Sequence, residues 1–146
     1  MVKNFYVIGN NTKKSLSPVI FKHWLKKYNI SANYSYLEIK DKEFEKKIKK
    51  IIQDRNIHGF NITIPFKEKI IPYLLKTDSH SKLIGAVNCA TRNGKNFVGT
   101  NTDWIGFKNS ITWFEKNKKK NLSKKKQTAI IVGYGGSAKA VLYALK

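Results

Sequence analysis

The sequence predicts an α/β fold, and three observations predict it. Short apolar runs of strand character alternate with stretches of helical periodicity along the chain. A wholly apolar run, Ala129-Ile130-Ile131-Val132, reads as a strand of the parallel-sheet kind, buried on both faces. It leads into a glycine loop, Gly133-Tyr134-Gly135-Gly136-Ser137-Ala138, that opens a helix, the context in which dinucleotide-binding units begin.

Each element has its own signal. Phe5-Tyr6-Val7-Ile8 reads as a short buried strand that turns at Gly9-Asn10. Ser17-Pro18 opens a helix, with serine as N-cap, proline at the first position, and Val19, Ile20, Phe21, Trp24, Leu25 and Tyr28 on one face. A strand is expected over Tyr34–Ile39. Asp41 is then expected to cap a helix whose inner side carries Phe44, Ile48, Ile51 and Ile52. Gly59–Ile64 reads as a strand stopped by Pro65, with Asn61, Thr63 and Pro65 on one face and Ile62 and Ile64 on the other. A helix is expected from about Phe66 to Leu75, and a short one between Ser79 and Gly85. Residues 86–91 and 96–99 read as a hairpin around Asn93-Gly94. Asp103 begins a helix with Ile105, Phe107, Ile111 and Phe114, and Lys116–Lys126 reads as a solvated linker. One strand and one helix do not complete a dinucleotide-binding domain, so the sequence is expected to be a piece of a longer protein.

Composition narrows the function classes. The chain has 146 residues, 41% of them hydrophobic, enough for one good core. Cys89 is the only cysteine, so no internal disulfide forms, which suits a reducing cytoplasmic setting. The apolar stretch near the N-terminus is far too short for an export signal or a membrane span. The charge is extreme: 29 basic against 9 acidic residues, a net of +20. Nucleic-acid binding is the obvious thought. Yet only Arg55 and Arg92 are arginines, the side chains that fork onto phosphates and guanines, and the lysines are spread along the whole chain. That argues against a specific nucleic-acid partner and leaves a field that attracts anionic ligands.

Four polar clusters fall where strands end or turns begin, the usual place for ligands in open α/β sheets. Ser15-Leu16-Ser17-Pro18 offers hydroxyls and free N–H groups for an anion such as a carboxylate, or a plain N-cap by Ser17. Asn61-Ile62-Thr63-Ile64-Pro65-Phe66-Lys67 ends on a lysine at a helix start. There an amine, if partly buried, can trade protons near neutrality; otherwise it is one more solvated lysine. Asn88, after Gly85-Ala86-Val87, has a donor and an acceptor for hydroxyls, or serves a turn. Asp103, after Gly99-Thr100-Asn101-Thr102, either caps a helix or holds an ammonium and a hydroxyl together. In the glycine loop, Gly133, Gly135, Gly136, Ser137 and Ala138 allow a pyrophosphate to approach the backbone N–H groups of a helix start. His23, His58 and His80 lack the spacing of metal ligands, so no metal site is expected.

Taken in order, VIGNNTKKSLSP, GFNITIPFKEKI, IGAVNCATRNGKNFVGTNTDWIGF and IIVGYGGSAKAVL resemble the shikimate dehydrogenase family across nearly the whole chain. The resemblance implies a mixed-sheet substrate domain, residues 1–103. A connecting helix, linker and first strand-loop-helix of a Rossmann-type NADP domain then span 104–146. It implies reversible NADP-linked reduction of 3-dehydroshikimate to shikimate, a step toward chorismate and the aromatic amino acids, with the piece inactive alone. By the same resemblance Ser15 and Ser17 hold the substrate carboxylate. Thr63, Asn88 and Asp103 hold ring hydroxyls, with Asn61 a lesser member of that group, and Lys67 and Asp103 form the catalytic pair. A homodimer is the expected assembly of the full-length protein. The sequence departs from the family's usual GAGGA in having Tyr134 inside the loop. Quinate-using relatives and a non-catalytic shikimate-binding module are the alternatives.

Overall fold

A computed structural model describes residues 2–118 and 128–146. Most of the expected linker, residues 119–126, lies outside the described residues. The elements in chain order are β1 (Lys3–Gly9), α1 (Ser17–Lys27), β2 (Ala32–Glu38), α2 (Phe44–Gln53), β3 (Ile57–Ile62) and α3 (Phe66–Lys69). They continue with β4 (Lys76–Thr77), α4 (Ser79–Ile84), β5 (Cys89–Asn93), β6 (Asn96–Thr100), α5 (Asp103–Lys118) and α6 (Gly136–Leu145).

The strands form one mixed six-stranded sheet in the order β2-β1-β3-β5-β6-β4. β1 is parallel to both β2 and β3, β5 runs antiparallel to β3 and β6, and β4 is parallel to β6. These directions decide where the site lies. The carboxyl ends of β1, β2 and β3, the start of β5 and the end of β6 all fall on one edge, since Asn61 pairs with Cys89 and Cys89 with Thr100.

The main core packs Phe44, Ile48 and Ile51 of α2, at helical spacing, with Ile8, Phe60, Ile62, Phe66, Ile70 and Phe97. Phe44 stacks on Phe66 at 4.3 Å, and Phe60 meets Phe97 at 4.8 Å. Each such ring removed from water contributes about 1.5–3 kcal/mol. A smaller cluster of Ile84, Ala86 and Ala140, with Trp104 and Tyr143 against it, fastens α6 to the domain.

Several expectations are corrected. Residues 129–132 form no strand among the described residues, and Ile130 and Val132 are 88% and 96% exposed. An apolar run becomes a parallel strand only where neighbours complete its hydrogen bonds, and here none is alongside. The helix expected to Leu75 stops at Lys69 and passes through a 3-10 turn, Ile71–Tyr73, because Pro72 removes a backbone donor. Asp41 sits inside a 3-10 turn and caps nothing with its side chain; its carboxylate takes Lys69 Nζ at 2.6 Å. Pairing of Asn93 with Asn96 makes Gly94 and Lys95 the central residues of the hairpin turn, one place later than expected. Gly94 carries the positive φ, 59°, that such turns require. The strand expected to Ile64 ends at Ile62, and Ile64, beyond it, is 74% exposed.

Candidate functional site

The site grows from the shared sheet edge. β3 ends at Ile62, and Phe66, fully buried, anchors the next turn, so Lys67 is carried to the edge of the core. Its carbonyl accepts the Val87 N–H at 2.8 Å, tying α3 to the approach of β5. The Lys67 ammonium donates to Asp103 Oδ2 at 2.7 Å and to Ser137 Oγ at 2.9 Å. The two ion-pair side chains are 13% and 28% exposed, enough shelter for the pair to hold its geometry.

Asp103 is the first residue of α5 and not its cap. The capping oxygen belongs to Asn101, 3% exposed, whose Oδ1 accepts the Asp103 N–H while its Nδ2 donates to Ala86 O. Asp103 is thus free to use its carboxylate elsewhere. Oδ1 accepts from Asn88 Nδ2 at 2.7 Å while Oδ2 takes Lys67. The Asn88 amide also donates to Thr102 Oγ1 and accepts the Thr102 N–H at 2.8 Å.

A second cluster lies at the entry to α1. Ser17 is the first helical residue, and no side chain caps the helix. Ser15 Oγ accepts the Ser17 N–H at 3.2 Å and lies 3.1 Å from Ser17 Oγ. Ser17 is therefore not the expected cap: it lies inside the helix, and its own N–H is met by Ser15. Both serines are half-buried, as is Thr63, just past β3. Tyr34, on edge strand β2, donates to Asn61 Oδ1 at 2.8 Å. Burial pushes its phenol up to about 12, with the Ser17 side chain offsetting part of that rise. Asn61 Nδ2 donates in turn to the Asn88 carbonyl at 3.3 Å. One run of hydrogen bonds therefore joins Tyr34, Asn61 and Asn88 to Asp103 and Lys67, and a second joins Ser15 to Ser17.

The glycine loop closes the other side. A cleft of about 390 Å³ lies between Ile64-Pro65, Lys67-Glu68 and residues 132–138. Gly133 has φ +117°, a conformation that side chains rarely adopt, and a Cβ on Gly136 would lie 2.9 Å from Lys67 Cβ. Gly135 is the N-cap of α6 with no side-chain bond, so the first N–H groups of the helix are open to an anion. Tyr134 stands outward, 83% exposed, beneath the Lys139 ammonium at 5.2 Å. Lys139 also pairs with Glu68 at 2.6 Å, bridging the cleft wall. Among the described residues no group of three or more His, Cys, Asp or Glu side chains is placed to hold a metal.

The structure thus brings Lys67, Asp103, Asn88 and Asn61 into one bonded array, bonds Ser15 to Ser17 at the entry to α1, leaves Thr63 just past β3, and places Gly133–Ala138 against Lys67. Sequence reasoning missed Tyr34, Asn101 and Thr102. The Asn-Thr-Asp order signalled a capping asparagine two residues before a free carboxylate; nothing local singled out Tyr34.

An α/β ligand-binding domain with a lysine–aspartate pair at its sheet edge and a glycine loop facing that pair is the class these features define. The family profile described as shikimate dehydrogenase substrate binding domain matches residues 7–90, and the chain belongs to that family. It is 40% identical to the shikimate dehydrogenase (NADP(+)) of Pelagibacter ubique over 146 residues, all of this chain and 52% of that protein. Shikimate dehydrogenase 1 from Peptoclostridium difficile superposes with a TM-score of 0.85 at 31% identity, over 98% of this chain and 50% of that one. The Thermus thermophilus shikimate 5-dehydrogenase in complex with NADP(H) and shikimate gives 0.81 at 28% identity, over 99% and 52%. The chain spans about half the length of the curated relatives it matches. Among the described residues no helix is long and apolar enough to cross a membrane.

Proposed function

We propose that this chain is the substrate-holding part of an NADP-dependent shikimate dehydrogenase, residues 1–103 forming the substrate domain and residues 104–146 leading into the cofactor domain. The observation that carries the reading is the Lys67–Asp103 pair, 2.7 Å apart, held by Asn88 and facing the glycine loop. The named relatives supply the substrate and cofactor class. The cleft fits the phosphate end of a dinucleotide: a glycine at φ +117°, an uncapped helix start and open space about Gly133 and Gly135. Gly133, Gly135, Gly136, Ser137 and Ala138 would hold it. A cytoplasmic location and self-association of the whole protein belong to the same reading.

When bound, the nicotinamide supplies or accepts the hydride at the reacting carbon. In the reducing direction the Lys67 ammonium gives a proton to the carbonyl oxygen, becomes a neutral amine and is reprotonated from solvent; in oxidation the amine takes the hydroxyl proton. Asp103 fixes the lysine from one oxygen, and its other oxygen, with Asn88, faces the ring hydroxyls. Ser15 and Ser17, at the uncapped start of α1, take the carboxylate, and Thr63 adds a hydroxyl between the two clusters.

Titration of the chain with shikimate, followed by amide NMR beside Lys67→Ala, tests this. Shifts gathered at residues 15, 17, 63, 88 and 103, and weakened in the variant, are expected. A well-folded spectrum that ignores millimolar shikimate, in this chain and in a full-length version, would overturn the assignment.

A further inference from the structure

A lysine ammonium has three N–H donors. Among the described residues that of Lys67 has two acceptors, Asp103 Oδ2 at 2.7 Å and Ser137 Oγ at 2.9 Å, which leaves one N–H for a reacting oxygen. The two acceptors come from different parts of the chain. Asp103 opens α5, whereas Ser137 is the second residue of α6 and belongs to the glycine loop. That loop is seated directly on α3: a Cβ on Gly136 would lie 2.9 Å from Lys67 Cβ and 3.0 Å from Ala86 Cβ. Lys139, the fourth residue of α6, donates to Glu68 at 2.6 Å. Lys67 and Glu68, neighbours on α3, are thus each gripped by a side chain of α6, and the grip of Ser137 ends on the amine itself.

We infer that Ser137 is a positioning residue for Lys67: its hydroxyl, carried on the loop that takes the dinucleotide, holds the ammonium between two fixed acceptors and so presents the third N–H to the reacting oxygen. The inference rests on the function proposed above. An ammonium held by one carboxylate can still turn on its long stem, whereas two acceptors fix both its place and its rotation. The two acceptors also differ in kind. A carboxylate only accepts, but a hydroxyl both accepts and donates. Once Lys67 has given a proton to the carbonyl oxygen, its neutral amine keeps two N–H groups and a lone pair. The Ser137 O–H can then turn to donate to that lone pair, so the serine serves both states of the lysine until solvent returns the proton.

The test compares wild type, Ser137→Ala, which removes only the hydroxyl, and Ser137→Thr, which keeps it. The first measurement needs no ligand. In the 146-residue chain labelled with 15N-lysine, the Lys67 ammonium signal is assigned by its loss in Lys67→Ala, and its proton exchange with water is followed. Exchange should be slow in wild type, quicken several-fold in Ser137→Ala and slow again in Ser137→Thr. A wild-type Lys67 ammonium that exchanges as fast as the exposed lysines, or one indifferent to Ser137→Ala, refutes the tether. The second measurement is steady-state oxidation of shikimate by the full-length protein. In Ser137→Ala kcat should fall about five-fold, the worth of one hydrogen bond to a charged group, with KM for shikimate and for NADP within about two-fold of wild type. Ser137→Thr should recover kcat. An unchanged kcat, or a loss confined to KM for NADP, would overturn the inference and leave Ser137 a cofactor contact alone. A full-length protein that keeps the tether yet oxidises no shikimate refutes the substrate reading and, with it, the role in proton transfer.

Discussion

Lys67 shows how little of a residue's role lies in the residue itself. On composition it is one of many lysines; in the fold its ammonium has a carboxylate at 2.7 Å and a hydroxyl at 2.9 Å. Asp103→Asn should keep the helix start, because Asn101 does the capping, yet remove the ion pair. The expected result is a melting temperature within a few degrees of wild type and a loss of shikimate affinity of about ten-fold or more, read by calorimetry. Tyr34 makes a pH prediction. Its ionisation is pushed up from the ordinary value of 10 to about 12, so the folded state favours the protonated phenol. That contribution is fully present below pH 10 and is lost as pH rises through about 12. Alkaline absorbance titration should show one tyrosine ionising near the top of the range, missing in Tyr34→Phe. Cys89 is similar in kind: burial raises its thiol, with Thr100 and Thr91 hydrogen bonds partly offsetting the rise. Alkylation by iodoacetamide at pH 8 should run well below the rate of a free thiol and approach it only in denaturant.

At the scale of elements, the site depends on parts far from it. Arg92 closes the β3–β5 side of the domain, donating to the carbonyls of Ile57, Asp54 and Ile52 at 2.5, 2.6 and 3.2 Å while lying 4.2 Å above the Phe97 ring. A lysine cannot reproduce that fork. Arg92→Lys should cost about 2–3 kcal/mol in urea unfolding, with the slope of the transition unchanged. Gly99 on β6 is another such point: an added Cβ would lie 2.5 Å from Leu74 Cδ1 and 3.0 Å from Val87 Cγ1. Gly99→Ala should destabilise by about 1–3 kcal/mol through overpacking. Elements were legible where a local pattern decided them. α2 shows its apolar spacing openly, and the Asn-Gly turn placed the hairpin to within one residue. The α1 start was misread because Ser15 and Ser17 are alike in sequence, and only the turn geometry puts Ser17 inside the helix with its N–H on Ser15.

For the whole molecule, the net charge of +20 sets the conditions of stability. Like charges this numerous repel in the folded state more than in the expanded chain, and ion pairs such as those of Glu43, Glu45, Asp103, Asp41 and Glu68 offset only part of that repulsion. The melting temperature should therefore rise between 20 mM and 500 mM sodium chloride; a fall would mean that the ion pairs outweigh the repulsion. The sequence by itself determined the α/β class, the strand-end placement of Ser15, Thr63, Lys67, Asn88 and Asp103, and the glycine loop, because strand and helix periods, turn residues and motif order are local properties. Tertiary structure alone decided that Asn88 and Lys67 share one carboxylate, that Tyr34 reaches both Phe21 of α1 and Asn61 of β3, and that residues 129–132 stay outside the sheet. Each of those outcomes depends on which distant backbone lies alongside, and pairing partners are a property of the folded chain rather than of any segment within it.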